Sequence, residues 1–145
     1  MSGVLRSRVA TCYHGRVTNS LIDTLSVADA SSQRGVELLA EGDAPGAAKA
    51  FREAIAADSS HIEAHHGLIR ALRDSEQFEA AVAVALALSV LTPEDPLAHT
   101  SLSIALQKAG HVPEAEAAAA RARILEWKQE LADPARESAG SDFLV

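Results

Sequence analysis

Large rings are scarce in this chain. Phe, Trp and Tyr together make up 3 % of it, although hydrophobic residues reach 48 %. Much of that apolar content is alanine, so the core is expected to come from closely approaching helices rather than bulky side chains. One cysteine, Cys12, excludes an internal disulfide framework and suits a reducing, cytoplasmic setting. No apolar run approaches the roughly 20 residues of a membrane-spanning helix. The longest, Ala80 to Leu91, reads as a buried helix. Sustained Val/Ile/Thr alternation bounded by hairpin turns is missing, which argues against strands. The net charge of −7 lacks the Lys/Arg surplus that drives phosphate binding, so nucleic acid is excluded as a general partner. There is no Gly-rich phosphate cradle. Cys12-Tyr13-His14 is a cluster by adjacency, whereas catalytic pairs are assembled by a rigid fold. Paired acids such as Glu114 and Glu116 read as the charge bias of a helix N-terminus. No enzyme activity and no cofactor are expected.

What is there is a period. Ala47, Ala81 and Ala115 stand 34 residues apart, as do Leu38, Leu72 and Leu106, and Ala54, Leu88 and Ala122. Gly42-Asp43, Glu76-Gln77 and Gly110-His111 occupy corresponding turns, each followed by a helical run. The segment Glu94 to Gly110 shows the design: Asp95 as N-cap, Pro96 at the first helical position, Leu102 and Leu106 at helical spacing, and Gly110 as C-cap. Ser60 to Glu63 reads as a capping box. The units are 28–61, 62–95 and 96–129, within a domain of 28–131. Residues 1–27 are expected to be a basic, partly disordered leader, and 132–145 a tail ending in Phe143-Leu144-Val145. The last helix is expected to run to Asp133-Pro134.

A fixed 34-residue period with helix–turn–helix content resembles the tetratricopeptide repeat family. Gly35, Leu38, Ala47, Phe51 and Ala54 match its pattern in the first unit. Leu68, Leu72, Ala81 and Pro93 match in the second, and Leu102, Ser103, Leu106, Ala115 and Ala122 in the third. Arg34, Ile69 and Leu88 depart from it. The resemblance implies an all-α, right-handed superhelix of three helical hairpins, an α-solenoid. It also implies a protein–protein interaction module or adapter that binds a peptide segment or partner protein in a concave groove.

Carried over position by position, the groove would be lined by Asp29, Ser32, Val36, Leu39 and Ala40, then Glu63, His66, Arg70, Arg73 and Asp74. The third unit would add Leu97, Thr100, Ile104, Gln107 and Lys108. Arg70, Arg73 and Lys108 would suit an acidic peptide or a free carboxylate, or would be solvated residues paired with Asp74 and Glu76. The clamp with which some family members hold chaperone C-termini would need Lys and Asn where Ser32, Val36 and Gly67 stand, which argues against that role. Two further readings compete. Ile124, Trp127 and Leu131 form an uncapped stripe suited to a homodimer or to docking in a larger complex. His61, His65 and His66 could present metal ligands, although His65 and His99 share a repeat position that a packing role explains.

Overall fold

The computed structural model describes residues 27–133 and residue 135. Nearly all of the expected leader, and the tail from 136 onward, lie outside the described residues. Within them the chain is an all-α helical repeat without strands. Helix α1 covers 27–40, and α2 (Ala44–Ala57), α3 (Ile62–Asp74), α4 (Phe78–Leu91), α5 (Pro96–Ala109) and α6 (Val112–Ala132) follow. The chain divides into two compact units, one ending at Gly67 and one beginning at Leu68, so the boundary falls inside α3.

Local chemistry sets the helix ends. Asp43 caps α2 by accepting from the Gly46 amide at 3.0 Å, and Asp95 caps α5 by accepting from Leu97 at 3.0 Å. Pro96 starts α5, where no amide is needed. The start of α3 differs from the expected capping box. His61 is the cap, and its Nδ1 accepts from the Ala64 amide at 3.1 Å. Ser60 turns away: its hydroxyl and amide both donate to Asp58 Oδ1, at 2.7 and 3.1 Å. Those bonds, the hydroxyl's foremost, hold the Asp58 carboxyl below its usual range. Helix α6 ends at Asp133, as the following proline requires.

The turns that end α1, α3 and α5 share one geometry. Gly42, Glu76 and Gly110 adopt φ of 86°, 60° and 89°, and the residue after each donates back to Leu38, Leu72 and Leu106 respectively. Glycine fits this left-handed position at no steric cost, but Glu76 carries a Cβ there.

In the first unit Phe51 is the largest fully buried side chain, and Ala28, Ala47, Ala54 and Ala64 are fully buried as well. Its ring lies close against two glycines. A Cβ on Gly35 would come within 2.8 Å of the ring, and one on Gly67 would overlap Cε1 and Cζ. Arg34, where the repeat pattern favours leucine, is exposed and pairs with Glu53 of α2. Such an exposed pair contributes little.

In the second unit α5 packs against both α4 and α6. The contact layer is mostly alanine: Ala81 and Ala85 on α4, Ala98 and Ala105 on α5, Ala115, Ala118 and Ala122 on α6. Leu88, Leu102, Leu106 and Leu125 fill the remaining volume. Burying each such leucine contributes about 1.5–3 kcal/mol. Ser103 hydrogen-bonds the Ala115 carbonyl at 2.8 Å, tying α5 to the first turn of α6. The expectation that Ala80–Leu91 is a buried helix holds for one side of it only. Ala81, Val82, Ala85 and Leu88 are buried, but Leu86 and Val90 on the opposite side of α4 are exposed. An apolar run was read as a core helix, yet only one side of it meets neighbours.

Two stability measurements follow. Gly67→Ala should destabilise the chain by about 1–3 kcal/mol through overpacking against Phe51; unchanged denaturant midpoints would show that the ring is not held there. Glu76→Gly should raise stability by about 1 kcal/mol by relieving the left-handed Cβ, and a lower melting temperature would contradict the assigned turn.

Candidate interaction faces

Histidine placement bears on the metal reading. His65 is buried, and its Nε2 donates to the Ser59 carbonyl at 2.9 Å. One period later His99 Nε2 donates to the Pro93 carbonyl at the same 2.9 Å. Both tie a helix start to the turn six residues before it, a structural use of the shared repeat position. His61 spends both ring nitrogens. Because Nδ1 accepts from Ala64, Nε2 carries the proton and donates to Asp29 Oδ1 at 2.9 Å. Among the described residues no three His, Cys, Asp or Glu side chains gather into a metal-ligating group. The arrangement gives the His61, His65 and His66 metal reading no support.

The groove positions separate by unit. In the first, Val36 is exposed, Leu39 and His66 are half-buried, and Glu63 is exposed. Ser32 is buried, with 5 % of its surface accessible, so its side chain is not offered to a ligand. This corrects its place in the groove list: in this array it sits on the packed side of α1. Asp29 is engaged with His61. In the second unit Arg70 is exposed and lies 4.0 Å from Asp74, one turn along α3. That pair is long and open to water, so it leaves the guanidinium available. Arg73 is half-buried, and Gln107 and Lys108 are exposed near the end of α5. Thr100 is half-buried and its hydroxyl donates to the Pro96 carbonyl at 3.0 Å.

Between α5 and α6 a cleft of about 200 Å³ opens, lined by Thr100, Ser103, Ile104, Ala119, Ala122, Arg123 and Glu126. Its origin lies in the repeat. One pair of equivalent positions holds Gly35 and Phe51 in the first hairpin, Ile69 and Ala85 in the second, and Ser103 and Ala119 in the third. The first two hairpins pair a small residue with a large one, and both large residues, Phe51 and Ile69, are buried. The third pairs small with small. The volume that a ring or a branched chain takes elsewhere is left as the cleft, with Arg123 and Glu126 at its side.

A second feature escaped the sequence reading. The side of α4 opposite its buried residues is Ala83, Leu86, Ala87 and Val90, with Leu86 49 % and Val90 80 % exposed. The equivalent positions in α2 are Lys49, Arg52, Glu53 and Ala56. The signal was in the period: three of four outward positions are charged in α2 and none is in α4. On α6, Ile124, Trp127 and Leu131 are also exposed, on the side away from Ala115, Ala118, Ala122 and Leu125. His111, just before α6, pairs with Glu79 of α4 at 2.9 Å, and Arg121 of α6 pairs with Glu94, just before α5, at 3.7 Å. No helix of the described residues is long and apolar enough to cross a membrane.

Comparison with known proteins fits this geometry. The family model "Tetratricopeptide repeat" matches residues 38–103. No curated protein matches the chain. Among solved structures, the second TPR of Spaghetti (RPAP3), bound to the HSP90 peptide SRMEEVD, is similar at 19 % identity and a TM-score of 0.68, over 74 % of this chain and 98 % of that one. MamA is similar at 21 % identity and a TM-score of 0.67, over 73 % of this chain and 61 % of its own. The type III secretion translocator chaperone SycD of Yersinia enterocolitica is similar at 16 % identity and a TM-score of 0.65, covering 81 % and 86 %. At these identities the structures share the fold. Together with the matched residues and the 34-residue period of the helices, they show that this chain has the tetratricopeptide-repeat fold.

Proposed function

We propose that the chain is a protein–protein interaction module, not an enzyme, that takes an acidic peptide segment of a partner on one face of its second unit. Arg70 and Arg73 on α3 and Gln107 and Lys108 on α5 supply the charge and hydrogen bonds. The observation that carries the reading is the cleft between α5 and α6. It includes Thr100 and Ile104, two of the positions that the family resemblance marks for ligand contact, and its volume suits one large apolar side chain. The bound segment would therefore present a ring or branched side chain flanked by acids. The HSP90 peptide seen on the second TPR of Spaghetti supports peptide binding as the kind of function. Ser32, Val36 and Gly67 in place of the carboxylate clamp point to a different ligand.

A fluorescent acidic peptide containing one Phe tests this. Arg70→Glu with Arg73→Glu should weaken its binding at least tenfold while leaving helical circular dichroism unchanged. Ser103→Phe, which fills the cleft from within, should weaken it as well. Binding that survives both changes would place the site elsewhere.

A further inference from the structure

We infer that the cleft between α5 and α6 has an occupant within the chain itself: the segment that follows α6, with Phe143 in the cleft and Asp142 at Arg123. Resting on the reading of that cleft as the peptide site, this makes the segment a competitor that an incoming partner displaces.

The cleft calls for a large apolar side chain beside an acid, and the chain carries such a sequence beyond its helices. Of its three phenylalanines, Phe51 is buried in the first unit and Phe78 is half-buried at the start of α4. Phe143 follows Asp142 directly and precedes Leu144. In the same segment Asp133, Glu137 and Asp142 outnumber Arg136, so it is acidic as well as apolar.

Charge runs in the matching order. Arg123 lines the cleft and is exposed. Among the described residues no carboxylate forms an ion pair with it, whereas Arg34, Arg70 and Arg121 each have one. Glu126, the other charged side chain of the cleft, stands nearer the end of α6. A segment that turns back along α6 passes Glu126 first and Arg123 later. Its own charges come as Arg136 and then Asp142, which sets opposite signs together at both steps.

The turn and the reach permit this path. The Ala135 amide donates to the Asp133 carboxylate at 3.0 Å, an Asx turn directly after α6. From Asp133 back to Arg123 the helix covers about 15 Å at its rise per residue. Forward from Asp133 to Asp142 an extended chain covers up to about 30 Å, so the acid reaches the guanidinium with length to spare. A short tether also holds the segment at a local concentration of roughly millimolar, so a weak contact suffices to fill the cleft.

Backbone amide NMR of the full chain, compared with its Phe143→Ser variant, tests this without any added ligand. The substitution should move the amides of Ser103, Ile104, Ala119 and Arg123, and the wild-type positions should not change between tens and hundreds of micromolar protein. In a Ser103→Phe background, where the cleft is filled, Phe143→Ser should leave those amides in place. An acidic peptide containing one Phe should bind the Phe143→Ser chain about threefold or more tighter than the wild type, because the competitor is gone. Cleft amides that ignore Phe143→Ser would overturn the inference. So would changes confined to Ile124, Trp127 and Leu131, or wild-type positions that depend on concentration, which would give the cleft to another copy's segment. A Phe143→Ser chain that takes no peptide would instead overturn the peptide site, so the two failures are told apart.

Discussion

Close approach of helices, enforced by side chains of one carbon or none, is the constraint on which the rest of this structure depends. Ala47, Ala54, Ala64, Ala81, Ala85, Ala98 and Ala105 have no accessible surface, and Gly35 and Gly67 cradle the Phe51 ring. A chain with so few aromatic side chains gains its packing from contact density, because many small residues allow many backbone-to-backbone approaches. The cost of that design is intolerance. Where a glycine faces a ring, one methyl group is too much. Where an array exchanges large and small residues across a hairpin, the exchange has to balance.

The balance holds in two hairpins and fails in the third. Phe51 lies over Gly35, and at the equivalent positions of the second hairpin Ile69 and Ala85 are both buried, with the large residue on the opposite helix. Ser103 and Ala119, both small, line the cleft that remains. A void between helices in a packed core destabilises, but the same void open to the surface is a place for a ligand side chain. The proposed peptide site thus follows from a lapse in the repeat rather than from an added element.

Much of the architecture was legible in the sequence because its signals are local. Asp95, Pro96 and Gly110 mark the ends of α5 through one residue each, and the 34-residue spacing marks the units through simple counting. Three things were not legible, each for a physical reason. His61 caps α3 through a ring nitrogen, while the Ser60 to Glu63 pattern satisfied the usual rule and pointed to the wrong residue. Ser32 was assigned to a ligand face by analogy, but burial depends on the packing around α1, which position in a repeat does not encode. The outer side of α4 was taken as core because hydropathy cannot distinguish a helix covered on two sides from one covered on one. The comparison that separates them, Lys49, Arg52 and Glu53 against Ala83, Leu86 and Ala87, needs the period first.

The cationic side of the second unit, with its cleft between α5 and α6, is the proposed contact for a peptide. Backbone amide NMR of the uniformly labelled full chain, titrated with an acidic Phe-containing peptide, tests that placement most directly. Shifts are expected at Arg70, Arg73, Thr100, Ser103, Ile104 and Lys108, with Leu86 and Val90 unmoved. Shifts confined to α4 and the outer side of α6, or none on the α3 and α5 side at saturating peptide, would contradict it.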